Sequence, residues 1–185
     1  MIHITADGAP APGNPKLEGW DPKVWSIGHR NIQGAALNPD TGKLWTAEHG
    51  ARGGDELNHP EAGKNYGWPI ITYGRDYSGL KIGEGTAKNG LEQPVYYWDP
   101  SIAVSGFAFY TGDVFPEWKG NILVGGLNGA QLERLVLKDD KVIAHEKLLE
   151  DLGERIRDVR QGPDGAVWVL IDEEDGKVLR LVPEK

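Results

Sequence analysis

Thr46 to Asn58 reads TAEHGARGGDELN, which sets the imidazole of His49, the guanidinium of Arg52 and the carboxylates of Asp55 and Glu56 among Gly50, Gly53 and Gly54. Glycine contributes no side chain to a core, so such a run reads as a loop, and loops held on a rigid scaffold commonly carry binding groups. A loop this rich in glycine can turn the Gly50 and Ala51 carbonyls inward. Hard cations such as Ca²⁺ take carbonyl and carboxylate oxygens, and Asp55 and Glu56 lie close by in sequence. His49 suits a ligand, a base or a polar contact, and its spacing specifies no zinc site. The plain alternative is a solvated acidic turn.

Two further stretches carry cations. In GERIRDVRQG, Arg155 and Arg157 are two apart, and on a strand such positions share a face. Two guanidiniums on one face repel unless an anion lies between them, and arginine forks bind carboxylates in pairs. Simple pairing with Glu154 and Asp158 is the alternative. In GHRNIQG, Arg30 adds a cation and Asn31 an amide that both donates and accepts; an ordinary polar turn accounts for it equally well. The aromatics of NYGWPIITYGRDYSG and QPVYYWDP, Trp68, Tyr73 and Trp98 among them, suit either a sugar-stacking cleft or plain packing between elements.

The 185 residues suit one domain or a large piece of one. A hydrophobic content of 39% with 26% charged residues describes a globular chain. The formal charge of −8 argues against a nucleic-acid partner. No cysteine is present, which excludes disulfides and thiolate chemistry. No segment is apolar for long enough to span a bilayer, and the start, MIHITADGAP, lacks the basic and apolar regions of a signal peptide. IHIT followed by ADG reads as a strand entering a turn, as expected of a chain whose natural beginning lies further upstream.

These groups need strands to position them. GAALNPDTGKLWTAEHG predicts strands at about 34–38 and 43–48 around the turn Asn38-Pro39-Asp40-Thr41-Gly42. SGFAFYTGDVFPEWKGNILVGGL repeats the pattern with a longer turn. IRDVRQGPDGAVWVLIDEEDGKVLRLV repeats it again, with turns at Gly162-Pro163-Asp164-Gly165 and Asp175-Gly176. Proline presets φ and glycine accepts positive φ at such turns. The unit recurs near Trp45, Ile122 and Trp168, the mark of a β-propeller. At about 40–50 residues per blade the chain holds about three. The expected fold is therefore all-β: a single partial propeller with approximate units 1–99, 100–150 and 151–185. A sandwich of short strands is the alternative. The best helix pattern, about 143–152, falls in a connection.

GHRNIQG, EHGARGGDELN, NYGWP, EQPVYYW, SGFAFYTGDVFPEWKGNILVGGL and GERIRDVRQGPDGAVWVLIDE together resemble the C-terminal half of the soluble glucose/sorbosone dehydrogenases, with the aldose sugar dehydrogenase branch the best match. The resemblance runs in order from about Ile2 to Val182. It implies half of a six-bladed propeller that binds pyrroloquinoline quinone (PQQ) and Ca²⁺ and oxidises aldose sugars at the anomeric carbon. By position it places Arg30, Asn31, His49, Asp55, Asn128, Arg155, Arg157 and Asp172 around PQQ. It places the Gly50 and Ala51 carbonyls on the cofactor's calcium, and Glu56 and the Tyr66 carbonyl on a structural one. Asn128 stands where the family often has a lysine. The family's proton-accepting histidine belongs to a motif that none of His3, His29, His49, His59 and His145 occupies. Two expectations follow: a sugar dehydrogenase whose ring is closed by a homodimer, or a non-catalytic, calcium-stabilised binding module. A periplasmic or secreted location is implied by the resemblance alone.

Overall fold

The computed structural model describes residues 1–184. It is all-β, with eleven strands in three antiparallel sheets and two single-turn 3₁₀ segments. Sheet I is β1 (Ile32–Leu37), β2 (Leu44–Glu48), β3 (Asp55–Asn58) and β4 (Tyr96–Trp98). Sheet II is β5 (Val104–Phe109), β6 (Ile122–Gly126), β7 (Gln131–Lys138) and β8 (Lys141–Leu148). Sheet III is β9 (Ile156–Gln161), β10 (Val167–Ile171) and β11 (Val178–Leu181). Within each sheet the strands pair in chain order, so every sheet is a meander. Trp45, Ile122 and Trp168 all fall on the second strand of their sheet, which accounts for the repeat seen in the sequence.

The turns form as their chemistry requires. Asn38 Oδ1 accepts the amides of Asp40 and Thr41 at 2.9 and 3.2 Å, and Gly42 takes φ +68°. At the second site Gly165 takes φ +76° and its amide reaches the Gly162 carbonyl at 3.0 Å. Two expectations fail. Residues 143–152 are not a helix: β8 runs to Leu148 and only Glu150–Leu152 turns. Asp139 and Asp140 both take positive φ, the geometry of a tight hairpin turn, which folds this segment back on β7. Ladder bonds to β7 outweigh the helical spacing. The IHIT segment makes only isolated bridges, Ile2 with Val24 and Ile4 with Pro10.

The sheets stack in order. One core cluster joins Trp45, Ala47, Leu57 and Trp98 of sheet I to Val104, Phe107, Ile122, Val124 and Leu135 of sheet II or its edge. A second joins Leu123 and Leu132 of sheet II to Ile156, Val159, Val167, Val169 and Ile171 of sheet III. Along β6 the side chains alternate, Ile122 and Val124 toward sheet I and Leu123 toward sheet III. A strand buried on both faces reads as the continuous apolar run ILV. The first strands touch in succession, β1 with β5 and β5 with β9. Glycine permits this: a Cβ on Gly34 of β1 would lie 2.6 Å from the Ser105 carbonyl oxygen and 2.8 Å from the Phe107 ring.

Candidate functional site

In each sheet the start of the first strand lies beside the end of the second, and the chemistry collects at that corner. Ile32 pairs with Glu48, Val104 with Gly126, and Ile156 with Ile171. Arg30 and Asn31 precede β1, and His49, Gly50 and Ala51 follow β2. Asn128 follows β6. Arg155 and Arg157 flank the start of β9, and Asp172 follows β10.

Hydrogen bonds join the three corners. His49 Nε2 donates to the Val104 carbonyl at 2.7 Å. The Asp55 carboxylate, fully buried, accepts from the Gly50 amide at 3.0 Å, the Val104 amide at 3.2 Å and the Ser101 hydroxyl at 2.8 Å. Asp55 thus staples the glycine loop to the entry of β5. Asn128 Nδ2 donates to the Ser101 carbonyl at 3.1 Å. Arg155 reaches the Leu127 carbonyl at 3.4 Å, and the Ser105 hydroxyl donates to the Ile156 carbonyl at 2.7 Å.

Arg155 and Arg157 converge on one oxygen. Asp172 Oδ2 accepts from Arg155 Nη2 at 2.9 Å and from Arg157 Nη2 at 2.8 Å. Hydrogen bonds from Arg157 and then Arg155 hold the Asp172 carboxyl below the usual carboxylate range. The anion between the two guanidiniums is therefore Asp172, and not Glu154 or the carboxylate of Asp158. Glu154 pairs with Lys177 and Asp158 with Arg160. Both arginine side chains remain exposed by 40% or more, so donors are left over for a ligand.

A second cluster lies beneath the glycine loop. Glu48 and Glu56 are directly paired across β2 and β3, so their carboxylates share a face. Asn58 Nδ2 donates to both, at 2.8 Å to Glu48 and 3.0 Å to Glu56. Its buried Oδ1 has no hydrogen-bond partner among the described residues. The Arg30 amide donates to Glu48 at 2.6 Å, and His29 lies 3.2 Å from the same carboxylate while stacking on Tyr66 at 4.8 Å. Burial drives the Glu56 carboxyl up to about 7, helped by the nearby charges of Glu48 and Asp55 and opposed by the Asn58 hydrogen bond. Burial also pushes the Tyr66 hydroxyl up to about 12. A cavity of about 10 Å³ lies among Glu48, Glu56, Gly50, Gly54 and Tyr66. That is room for one atom. Among the described residues no three His, Cys, Asp or Glu side chains form a metal-binding group. A cation here would have to use carbonyl oxygens as well.

Glu48 and Asn58 were missed by the sequence reading. Their signal was the cross-strand register, which places Glu48 opposite Glu56 and Thr46 opposite Asn58. Spacing within a single stretch does not reveal it. Arg30 lies with its guanidinium 5.2 Å from the Trp68 ring centre, so that aromatic supports a cation. Tyr73 stacks on Tyr97 at 3.8 Å, and Trp98 donates to the buried Glu133 at 3.0 Å. Among the described residues no helix is long and apolar enough to cross a membrane.

The model of the glucose/sorbosone dehydrogenases matches residues 1–180. The chain belongs to that family. It is 47% identical to the aldose sugar dehydrogenase YliI of Escherichia coli strain K12 over 187 aligned residues, which cover 99% of this chain and 50% of that protein. The crystal structure of the soluble aldose sugar dehydrogenase from Escherichia coli in its apo form superposes with a TM-score of 0.94 at 46% identity, covering 99% of this chain and 54% of that one. The PQQ-bound aldose sugar dehydrogenase of Streptomyces coelicolor superposes at 0.74 with 32% identity, covering 98% of this chain and 51% of that one. The chain thus spans about half the length of these relatives, and corresponds to their C-terminal half.

Proposed function

We propose that the chain is the cofactor-holding half of a PQQ- and Ca²⁺-dependent sugar dehydrogenase acting on aldoses, its sheets being three blades of a six-bladed β-propeller. The observation that carries this reading is the convergence of Arg30, Asn31, His49, Asn128, Arg155, Arg157 and Asp172 on equivalent corners of successive sheets. PQQ is planar and carries carboxylates, and paired guanidiniums with unspent donors suit it. Arg157 commits one hydrogen bond to Asp172 and keeps the rest of its fork.

The donor set for calcium also fits. The glycine loop closes so tightly that a Cβ on Gly50 would lie 2.1 Å from the Gly53 carbonyl oxygen and 2.4 Å from that of Gly54. Gly50 and Ala51 are proposed to offer carbonyls to the cofactor's calcium. Glu56 and the Tyr66 carbonyl would hold a structural ion, with Glu48 lining the same atom-sized space. When bound, the quinone supplies a two-electron acceptor and calcium a Lewis acid on its carbonyl. The chain's own residues orient the site: Asp172 aims two arginines, Trp68 backs Arg30, and the Val104 carbonyl holds the His49 ring.

The test is a titration of the purified chain with PQQ, with and without Ca²⁺, followed by absorbance. Saturable, calcium-dependent binding is expected, and Arg157→Ser weakens it about tenfold, the usual loss for one charge-assisted contact. Absence of binding overturns the cofactor reading. One observation favours a non-catalytic, calcium-stabilised module instead. Asn128 brings no charge to an anionic cofactor, and it spends its amide on the Ser101 carbonyl. Steady aldose-dependent dye reduction in the presence of PQQ and Ca²⁺ would eliminate that alternative.

A further inference from the structure

Beside the glycine loop lies a second set of cations that the reading above leaves unused. Arg52, Arg75 and Lys81 are neighbours across a small antiparallel ladder, Arg52 bridging to Arg75 and Arg75 to Lys81. The Arg52 amide donates to the Arg75 carbonyl at 2.9 Å and the Arg75 amide to the Arg52 carbonyl at 3.0 Å. Residues directly opposite in such a pair present their side chains to one face, and like charges placed so are destabilising. All three residues are exposed. Among the described residues none has a carboxylate within ion-pair distance.

The acids of the same hairpin are engaged elsewhere. Asp76 accepts the amide and hydroxyl of Ser78 at 2.9 and 2.6 Å, and Glu84 pairs with Lys88 at 2.8 Å. Lys81 gives its ammonium to the Glu84 carbonyl oxygen at 2.5 Å, which is no counter-charge. In a chain with a net charge of −8, three uncompensated cations in a row need a cause. Arg75 and Lys81 also line a cavity of about 220 Å³ with Thr72, Tyr73 and Thr86. That volume suits a small molecule, not a protein surface. Hydroxyls beside two cations match a polyol that bears an anion.

We propose that Arg52, Arg75 and Lys81 form a binding site for the anionic group of a sugar acid or sugar phosphate. The assignment rests on the sugar dehydrogenase reading for its ligand class, and on the ladder and cavity for its place. Arg52 follows Ala51 directly, so a ligand held here sits next to the loop proposed to carry the cofactor's calcium.

The experiment is a two-dimensional amide NMR titration of the full chain with glucuronate, glucose 6-phosphate, glucose, inorganic phosphate and polyglutamate at fixed ionic strength. Saturable shifts of the Arg75, Thr86 and Gly74 amides are expected with the two anionic sugars, at least about tenfold tighter than with glucose or phosphate alone. Arg75→Ser and Lys81→Ser each remove about tenfold of that affinity. Both positions are exposed, so the variants should fold, and unchanged remote amides would verify it. Equal, weak responses to every anion would reduce the row to ionic screening and overturn the proposal. So would tighter binding of polyglutamate than of either sugar, which would make it a protein-docking face. PQQ titrated into the same samples separates the two ideas. Sugar-anion binding without PQQ binding keeps the site and discards the cofactor reading. The reverse discards the site alone.

Discussion

At the scale of single residues, Glu56 gives the sharpest prediction. Its carboxyl rises from an ordinary value of 4.5 to about 7, with burial as the main cause. The folded value lies above the unfolded one, so the folded chain keeps a proton that the unfolded chain has lost between those limits. Folding stability therefore falls as pH rises from about 4.5 to 7, by about 3 kcal/mol at most. Calcium on Glu56 would reverse that cost, because it binds the ionised form. Calorimetry should show Ca²⁺ raising Tm strongly at pH 8 and little at pH 5, with Glu56→Gln insensitive at both. A calcium response larger at pH 5 would sink the assignment. Much of this site was legible as residue types: EHGARGGDELN announced carboxylates and carbonyls in a glycine loop. What was hidden was partnership. Asp55 looked like a cofactor group by position, yet its carboxylate is spent on the Gly50 and Val104 amides and the Ser101 hydroxyl. Glu48 and Asn58 entered only through a register that joins β2 to β3.

At the scale of elements, the strands that position the site depend on how closely the first strands approach. Gly34 is the test, because the nearest atom to an added Cβ is the Ser105 backbone oxygen at 2.6 Å, and backbone cannot rotate away. Gly34→Ala should separate β1 from β5 and lower stability by about 1–3 kcal/mol, the usual cost of overpacking. Urea unfolding would measure it. PQQ affinity should drop in the same variant, since Arg30 and Asn31 lead directly into β1 while Arg155 and Arg157 flank the start of β9. A neutral Gly34→Ala would mean that the approach of these strands is slack. The turns that set these strands were readable because Asn-Pro-Asp-Thr-Gly and Gly-Pro-Asp-Gly dictate their own backbone. The misread helix at 143–152 shows the limit. Its spacing was helical, but Asp139 and Asp140 in positive φ turned the chain back on β7. Aspartate tolerates that conformation only as a minority choice, so the sequence signals it weakly.

At the scale of the whole molecule, the outer faces of the stack pose the remaining problem. Gly34 of β1 turns toward sheet II, so Gln33, Ala35 and Leu37 turn away from it, and Leu37 is 64% exposed. At the other end Leu170 and Val178 of sheet III are 43% and 63% exposed. Apolar side chains on both terminal faces are what a wedge of a ring would present. Among the described residues sheet III has three strands against four in the others, and β11 pairs on one side with β10, an edge able to accept a further strand. Two copies of this chain would bring six sheets together and cover both faces. Light scattering of the purified chain at micromolar concentration should then give twice 20.3 kDa. Leu170→Lys should shift the equilibrium toward monomer while leaving the sheet II core intact, because Leu170 belongs to neither core cluster. A monodisperse monomer for the unmodified chain would exclude closure by two copies. The faces would then be left to other chain segments, and the arginine pair and glycine loop would stand on half of a ring.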